Sequence, residues 1–255
     1  MPPQSASNDL VRRVPADDWK RLSSVRIAFG HQSVGYDMLA GIADVAKDVP
    51  AVNLKVVEAA SLPSEPALVH FKAGQNEYPL SKIDDFVKFV DAAGAAEPDI
   101  AMLKFCYIDV NASTDTRAVF AKYREAIAGL RTRHPNTTFV HMTMPLRTIQ
   151  TGWKASLKGL LGKPIGGYAE NVQRQAYNEM LRAEFAGKAP LFDIAAIEST
   201  RGTDRVSFTS DGKTAFALAP EYTHDGGHLN PVGRRLVAEQ LLVLLAETAK
   251  ARRGN

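Results

Sequence analysis

Residues 25–37 read VRIAFGHQSVGYD: an apolar run of strand length, Val25–Phe29, then a turn with Gly30 and Gly35 on either side of Ser33, then the start of a helical pattern. A strand that feeds straight into a helix is half of a βαβ unit, and the rest of the chain repeats the alternation. Runs of strand length recur at Val52–Val57, Ile100–Ile108, Thr138–Met144 and Leu191–Ile194. Between them lie segments of helical periodicity at Val34–Lys47, Ser81–Ala95, Thr116–His134 and Ala169–Ala186, with a last one at Pro231–Lys250. Asn230 and Pro231 suit the cap and first turn of that last helix, and Gly187 suits the end of the one before it. Ile100–Ile108 is apolar nearly throughout, as a strand covered on both faces requires. The pattern predicts an α/β chain folded as a three-layer α/β/α sandwich around a central, mostly parallel five-stranded sheet.

The 255 residues, 45% of them hydrophobic, suffice for one sizeable core. Residues 1–24 are polar and contain Pro2, Pro3 and Pro15; they read as an N-terminal arm with at most a short helix at Asp17–Leu22, and 25–255 as a single domain. Two segments break the alternation: Leu146–Gly167, rich in Lys and Gly, and Ser199–Pro220, with a short hairpin around Asp211–Gly212. Both read as insertions or long loops over the active face. With 31 basic against 28 acidic residues the net charge is +3, which is no footprint for nucleic acid. Cys106 is the only cysteine, so no intramolecular disulfide is expected. No stretch reaches the roughly 18 to 20 apolar residues that span a bilayer, and the opening MPPQSASNDLVRRVP lacks the apolar middle of a signal peptide. A cytoplasmic setting is the default expectation, a processed exported form is also consistent, and the oligomeric state is open.

In an open parallel sheet, ligands bind outside the carboxyl ends of the strands, so the residues that follow each strand are the first candidates for chemistry. Ser33 is one of them, at the positive end of a helix where developing negative charge is favoured. A serine there can also simply cap the helix. Near the other end of the chain, EYTHDGGHLNPVG sets Asp225 and His228 three apart in a loop that leads into the final helix. A serine hydroxyl is a poor nucleophile unless a base takes its proton, and that base works best when a carboxylate fixes its tautomer. Ser33, Asp225 and His228 would supply all three parts from one face of the predicted sheet.

These residues resemble the SGNH hydrolases, the GDSL-type esterases and lipases, over about Val25 to the C-terminus. Asp225-Gly226-Gly227-His228, followed by Leu229-Asn230-Pro231, looks like that family's last block. His31-Gln32-Ser33 stands where the family commonly has Gly-Asp-Ser, nearer to a divergent branch that opens His-x-Ser-Val-Gly. The resemblance implies a flavodoxin-like sandwich and an oxyanion hole made of the Ser33 N–H, a glycine N–H and an asparagine amide. One such donor contributes roughly 3 kcal/mol to the transition state. Gly74, in FKAGQNEYPLSKIDDF, matches the glycine's place. MLKFCYIDVN carries no Gly-x-Asn-Asp, so the amide falls to Asn76, which shares a loop with Gly74, or to Asn111.

Five residues are candidates to line the pocket: His31, Gln32, Asp109, Asn111 and His141. Core packing for the histidines, a loop position for Asp109 and a helix cap for Asn111 are the alternatives. Lys104 lies inside an apolar run, where a lysine needs a partner or must reach the strand end. The chain has no HExxH, Cys-x-x-Cys, GxGxxG or GxxxxGK[ST] pattern, so neither metal nor cofactor is expected. The function expected is a serine esterase acting on a small acyl ester, with deacetylation of a carbohydrate or similar polar alcohol as the favoured form. An acyltransferase with the same triad, or a binding module on the same fold, are the competitors.

Overall fold

The computed structural model describes residues 8–151, 157, 160–161, 165–210 and 212–252. Six strands form the central sheet: β1 (Arg26–His31), β2 (Val56–Glu58), β3 (Ala67–Lys72), β4 (Ile100–Leu103), β5 (Thr138–Met142) and β6 (Leu191–Phe192), in the order β2-β3-β1-β4-β5-β6. Every adjacent pair is parallel. The sheet thus has six strands where five were expected, because ALVHFK at 67–72 is a strand in its own right. Its alternation is hidden in the sequence by His70 and Lys72; His70 is buried against His31, and only Lys72 at the strand end is exposed. The run at 52–57 contributes only the short edge strand β2.

The two faces of the sheet are covered by different helices. α1 (Asn8–Arg13), α2 (Ala16–Leu22), α3 (Val34–Asp48) and α8 (Pro231–Ala251) pack together on one side; α4 (Pro79–Ala92), α5 (Thr116–Arg133) and α6 (Tyr168–Phe185) cover the other. Strand residues divide between them with period two: Ile27, Phe29, Ile100 and Met102 belong to the α3–α8 core, whereas Ala28, Ala101 and Leu103 belong to the α4–α6 core. α8 begins as its sequence predicts, with the Asn230 side chain accepting from the N–H groups of Val232 and Gly233 at 3.0 Å.

The segment expected to be a loose arm is built into the core side of α8. Val11, Trp19 and Leu22 are buried there, and Asp18 pairs with Lys250 at 3.0 Å. The segment 199–220 contains two small hairpins, β7–β8 (Thr200–Arg201, Asp204–Arg205) and β9–β10 (Ser207–Ser210, Lys213–Phe216). The second brackets the predicted turn, of which Asp211 lies outside the described residues, and packs on α6 through Phe208 and Ala215. Of the other long loop, the portion near 152–164 lies mostly outside the described residues; its neck is closed by a bond from Gln150 N–H to the Gly166 carbonyl. Between them, α7 (Ile194–Ser199) follows β6. No helix among the described residues is long and apolar enough to cross a membrane.

Candidate active site

Strand order reverses between β1 and β4, so the crevice outside their carboxyl ends is where this topology places a ligand. Ser33 stands at that point, between β1 and α3. Its backbone adopts φ 54°, ψ −118°, a conformation that costs a side-chain-bearing residue about 1–3 kcal/mol. The hydroxyl makes no capping bond to α3. It faces His228 instead, with Ser33 Oγ 2.7 Å from Nε2.

The loop that carries His228 is organised around Asp225. One carboxylate oxygen accepts from the backbone N–H groups of Gly227 and His228 at 2.9 and 2.8 Å, and the other lies 2.6 Å from His228 Nδ1. With Nδ1–H donating to Asp225, Nε2 is left to accept from the Ser33 hydroxyl. Partial burial alone would push the Asp225 carboxyl up, but the bonds from the His228 ring and the two N–H groups outweigh it and hold it below the usual carboxylate range. The site is open: the side chains of His228 and Asp225 are 44% and 56% exposed, so substrate and water reach them directly.

Three contacts fix this loop against the rest of the molecule. Asp37, one turn into α3, accepts from the Leu229 N–H at 3.0 Å and so ties the histidine's loop to the helix that begins beside Ser33. The Thr148 N–H donates to the Gly226 carbonyl at 3.0 Å. Gly227 lies flat against Tyr107: a Cβ there would come within 2.6 Å of the ring, so only glycine fits.

Sequence reasoning passed over Tyr107 and Arg147. β4 ends at Leu103, five residues before the predicted strand's end at Ile108, and the chain then makes a single tight turn at Tyr107–Asp109. The Tyr107 ring packs edge-on against His228 with centroids 5.7 Å apart, and the Arg147 guanidinium lies over its other side at 5.3 Å. The sequence offered no local signal for Tyr107, because the predicted strand Ile100–Ile108 ran through it. Arg147 and Thr148 also line a cavity of about 380 Å³ with Gln150, Glu170 and Arg174.

The other predicted residues are placed differently. The Gly74 N–H already donates to Asp85 at 2.9 Å, which removes it as an oxyanion donor in this arrangement. Asn76 is exposed and accepts from Lys82 at 3.0 Å. Asn111 is an exposed turn residue whose side-chain oxygen takes the Ser113 N–H at 2.9 Å. Asp109 does not line a pocket: it is buried, pairs with Lys82 at 2.7 Å, and accepts from the N–H groups of Cys106 and Glu77 at 2.6 and 3.0 Å. Gln32 braces the Gly74 loop by donating to the carbonyls of Ala73 and Gly74 at 2.8 and 2.7 Å.

His31 and His141 are core residues. His31 is fully buried beside His70 at 3.2 Å, and burial, reinforced by Lys104 and His70, lowers its pKa to about 2. His141 bonds the Tyr123 hydroxyl at 2.9 Å and stacks on Phe185, and burial lowers its pKa to about 3. Lys104 is buried within 3.6 Å of the Cys106 sulfur. No cluster of three or more metal-ligating side chains occurs among the described residues.

No protein-family model matches the chain, and no curated protein matches it. Solved structures do. An acetyl esterase, determined as a serine-to-alanine mutant with an acetate ion, superposes with a TM-score of 0.53 at 14% identity, over 89% of this chain and 98% of that one. A family 3 carbohydrate esterase from Clostridium thermocellum gives 0.49 at 13% identity, over 89% and 98%. The periplasmic domain of a lipopolysaccharide acetyltransferase from Salmonella ser. Paratyphi A gives 0.45 at 10% identity, over 90% of each chain. At such identities the likeness is one of fold, and the chain shares the mostly parallel, helix-covered α/β fold of the acetyl esterase.

Proposed function

We propose that the chain is a serine esterase of the SGNH type that removes a small acyl group from a carbohydrate or similar polar alcohol. The observation that carries this reading is the 2.7 Å approach of Ser33 Oγ to His228 Nε2, between residues 195 apart in the chain, with Asp225 behind the ring. Ser33 attacks the ester carbonyl while His228 takes its proton; His228 then protonates the departing alcohol, and Asp225 holds the ring and its positive charge. Water, activated in turn by His228, hydrolyses the acyl-enzyme. The Ser33 N–H, at the start of α3, is the backbone donor for the oxyanion.

The surroundings suit a polar leaving alcohol. The cavity beside Tyr107 is lined by Arg147, Thr148, Gln150 and Glu170, donors and acceptors that match hydroxyl groups better than a lipid chain. The fold is one that an acetyl esterase also uses. Ser33→Ala is expected to lose at least about 10³-fold in kcat on p-nitrophenyl acetate. Near-parental turnover by that variant would refute the assignment of the nucleophile, and release of free acetate without transfer to added alcohols distinguishes hydrolysis from acyl transfer.

A further inference from the structure

We propose that the Tyr107 hydroxyl is the side-chain donor that stabilises the oxyanion, filling the role for which neither Asn76 nor Asn111 is placed. The proposal rests on Ser33 as nucleophile. Tyr107 meets the site on three sides at once. Its hydroxyl lies near enough to that of Ser33 for the serine to lower the phenol's pKa against the effect of burial. Its ring leans on His228 at 5.7 Å, and its position is fitted by Gly227, where a Cβ would fall 2.8 Å from the hydroxyl oxygen itself. A donor beside Oγ lies beside the carbonyl carbon that Oγ attacks, and so beside the oxygen that becomes negative.

A donor of this kind is useful only if it is rigid, because stabilisation comes from a dipole already aimed when charge develops. The turn that carries Tyr107 is clamped from every direction. Buried Arg174 donates to the Tyr107 carbonyl at 2.7 Å and to the Val110 carbonyl at 3.2 Å. Asp109 closes the turn on the Cys106 N–H and is itself held by buried Lys82. The phenol is also kept protonated: burial and then the Asp225 charge raise its pKa above the ordinary tyrosine value, against the opposing pulls of Arg147 and Ser33.

In the addition step the Ser33 oxygen forms a bond to the carbonyl carbon, its proton moves to His228 Nε2, and the carbonyl π pair moves to oxygen. That oxygen accepts hydrogen bonds from the Ser33 N–H and the Tyr107 O–H. Collapse restores the carbonyl and expels the alkoxide, which takes the proton from His228. Tyr107 donates a hydrogen bond throughout and loses no proton.

Tyr107→Phe removes only the hydroxyl and keeps the ring against His228 and Gly227. On p-nitrophenyl acetate it should lower kcat by about 10²-fold with KM within about threefold. The second measurement compares the ester with the corresponding thionoester, whose sulfur is a poor acceptor; parent enzyme should favour the ester strongly, and Tyr107→Phe should shrink that preference about tenfold or more. An unchanged kcat, or a fall in kcat with the ester-to-thionoester ratio intact, overturns the proposal. If Ser33→Ala is inactive while Tyr107→Phe keeps parental rates, Tyr107 alone is misassigned; if Ser33→Ala is itself active, the nucleophile reading fails first.

Discussion

Ser33 is held in a strained backbone conformation, makes no capping bond, and is aimed at an imidazole whose tautomer is set by a carboxylate. In the proposed mechanism Asp225 acts by charge as well as by geometry. Asp225→Asn offers an amide where Nδ1–H needs an anion, and it should cost kcat about 10²- to 10⁴-fold while leaving the fold intact; a loss of less than tenfold in steady-state kinetics would separate Asp225 from catalysis. Because hydrogen bonds from His228 and Gly227 keep the Asp225 carboxyl below its usual range, it stays ionised as pH falls through mildly acid values. The acid limb of the parent's rate profile should therefore not report protonation of Asp225. Gly227→Ala tests the same site from another side: its Cβ would meet the Tyr107 ring at 2.6 Å, so kcat should fall by at least tenfold with little change in melting temperature. Ser33, Asp225 and His228, each open to a bland reading on its own in the sequence, are brought within hydrogen-bonding reach of one another. Tyr107's place beside His228 is not legible in the sequence, because it depends on where β4 stops, and nothing local announces that Asp85, eleven residues on, takes the Gly74 N–H.

At the scale of elements, the turn after β4 is joined to α4 by a buried ion pair. Lys82 and Asp109 are both fully inaccessible in their side chains and 2.7 Å apart. Such a pair adds little over a well-packed apolar pair, yet removing one member strands the other. Lys82→Met should destabilise by about 3–5 kcal/mol, seen as a drop of roughly 10 °C in melting temperature, with Lys82→Met/Asp109→Asn recovering part of the loss. Full stability in the single variant would mean that Asp109 is relieved in some other way. The helices were legible almost to their ends, since α5, α6 and α8 each show a 3.6-residue apolar stripe that opens at a side-chain cap or a glycine. Strands were read less well. A buried strand of four to six residues offers little periodicity, and tertiary contacts settle the rest: His70 is polar but buried against His31, and Phe105 to Ile108 continue the apolar run in sequence yet lie beyond the end of β4.

Across the whole molecule, the segment after β5 is joined to α7 by a carboxyl group that has no charge partner at bonding distance among the described residues. Glu198, in α7, is completely buried; one oxygen accepts from the Leu146 N–H, and the other has no hydrogen-bond partner among the described residues. Burial raises its pKa from 4.5 to about 8, against the opposing Leu146 N–H and the more distant charges of Lys104 and Arg174. Between those two values the folded protein holds a proton that the unfolded chain has lost. The stability Glu198 contributes is therefore complete below pH 4.5 and drains away as pH rises towards 8. Glu198→Gln keeps the shape and an acceptor for Leu146 but cannot ionise, so it removes that slope. In urea titrations across this range, the variant should gain on the parent steadily with rising pH, by on the order of a few kcal/mol over the interval. Other groups that titrate in the fold shift both proteins alike and cancel in the difference. A difference that stays flat with pH would mean that Glu198 is ionised in the folded state, and that Lys104 or Arg174 compensates it across the core.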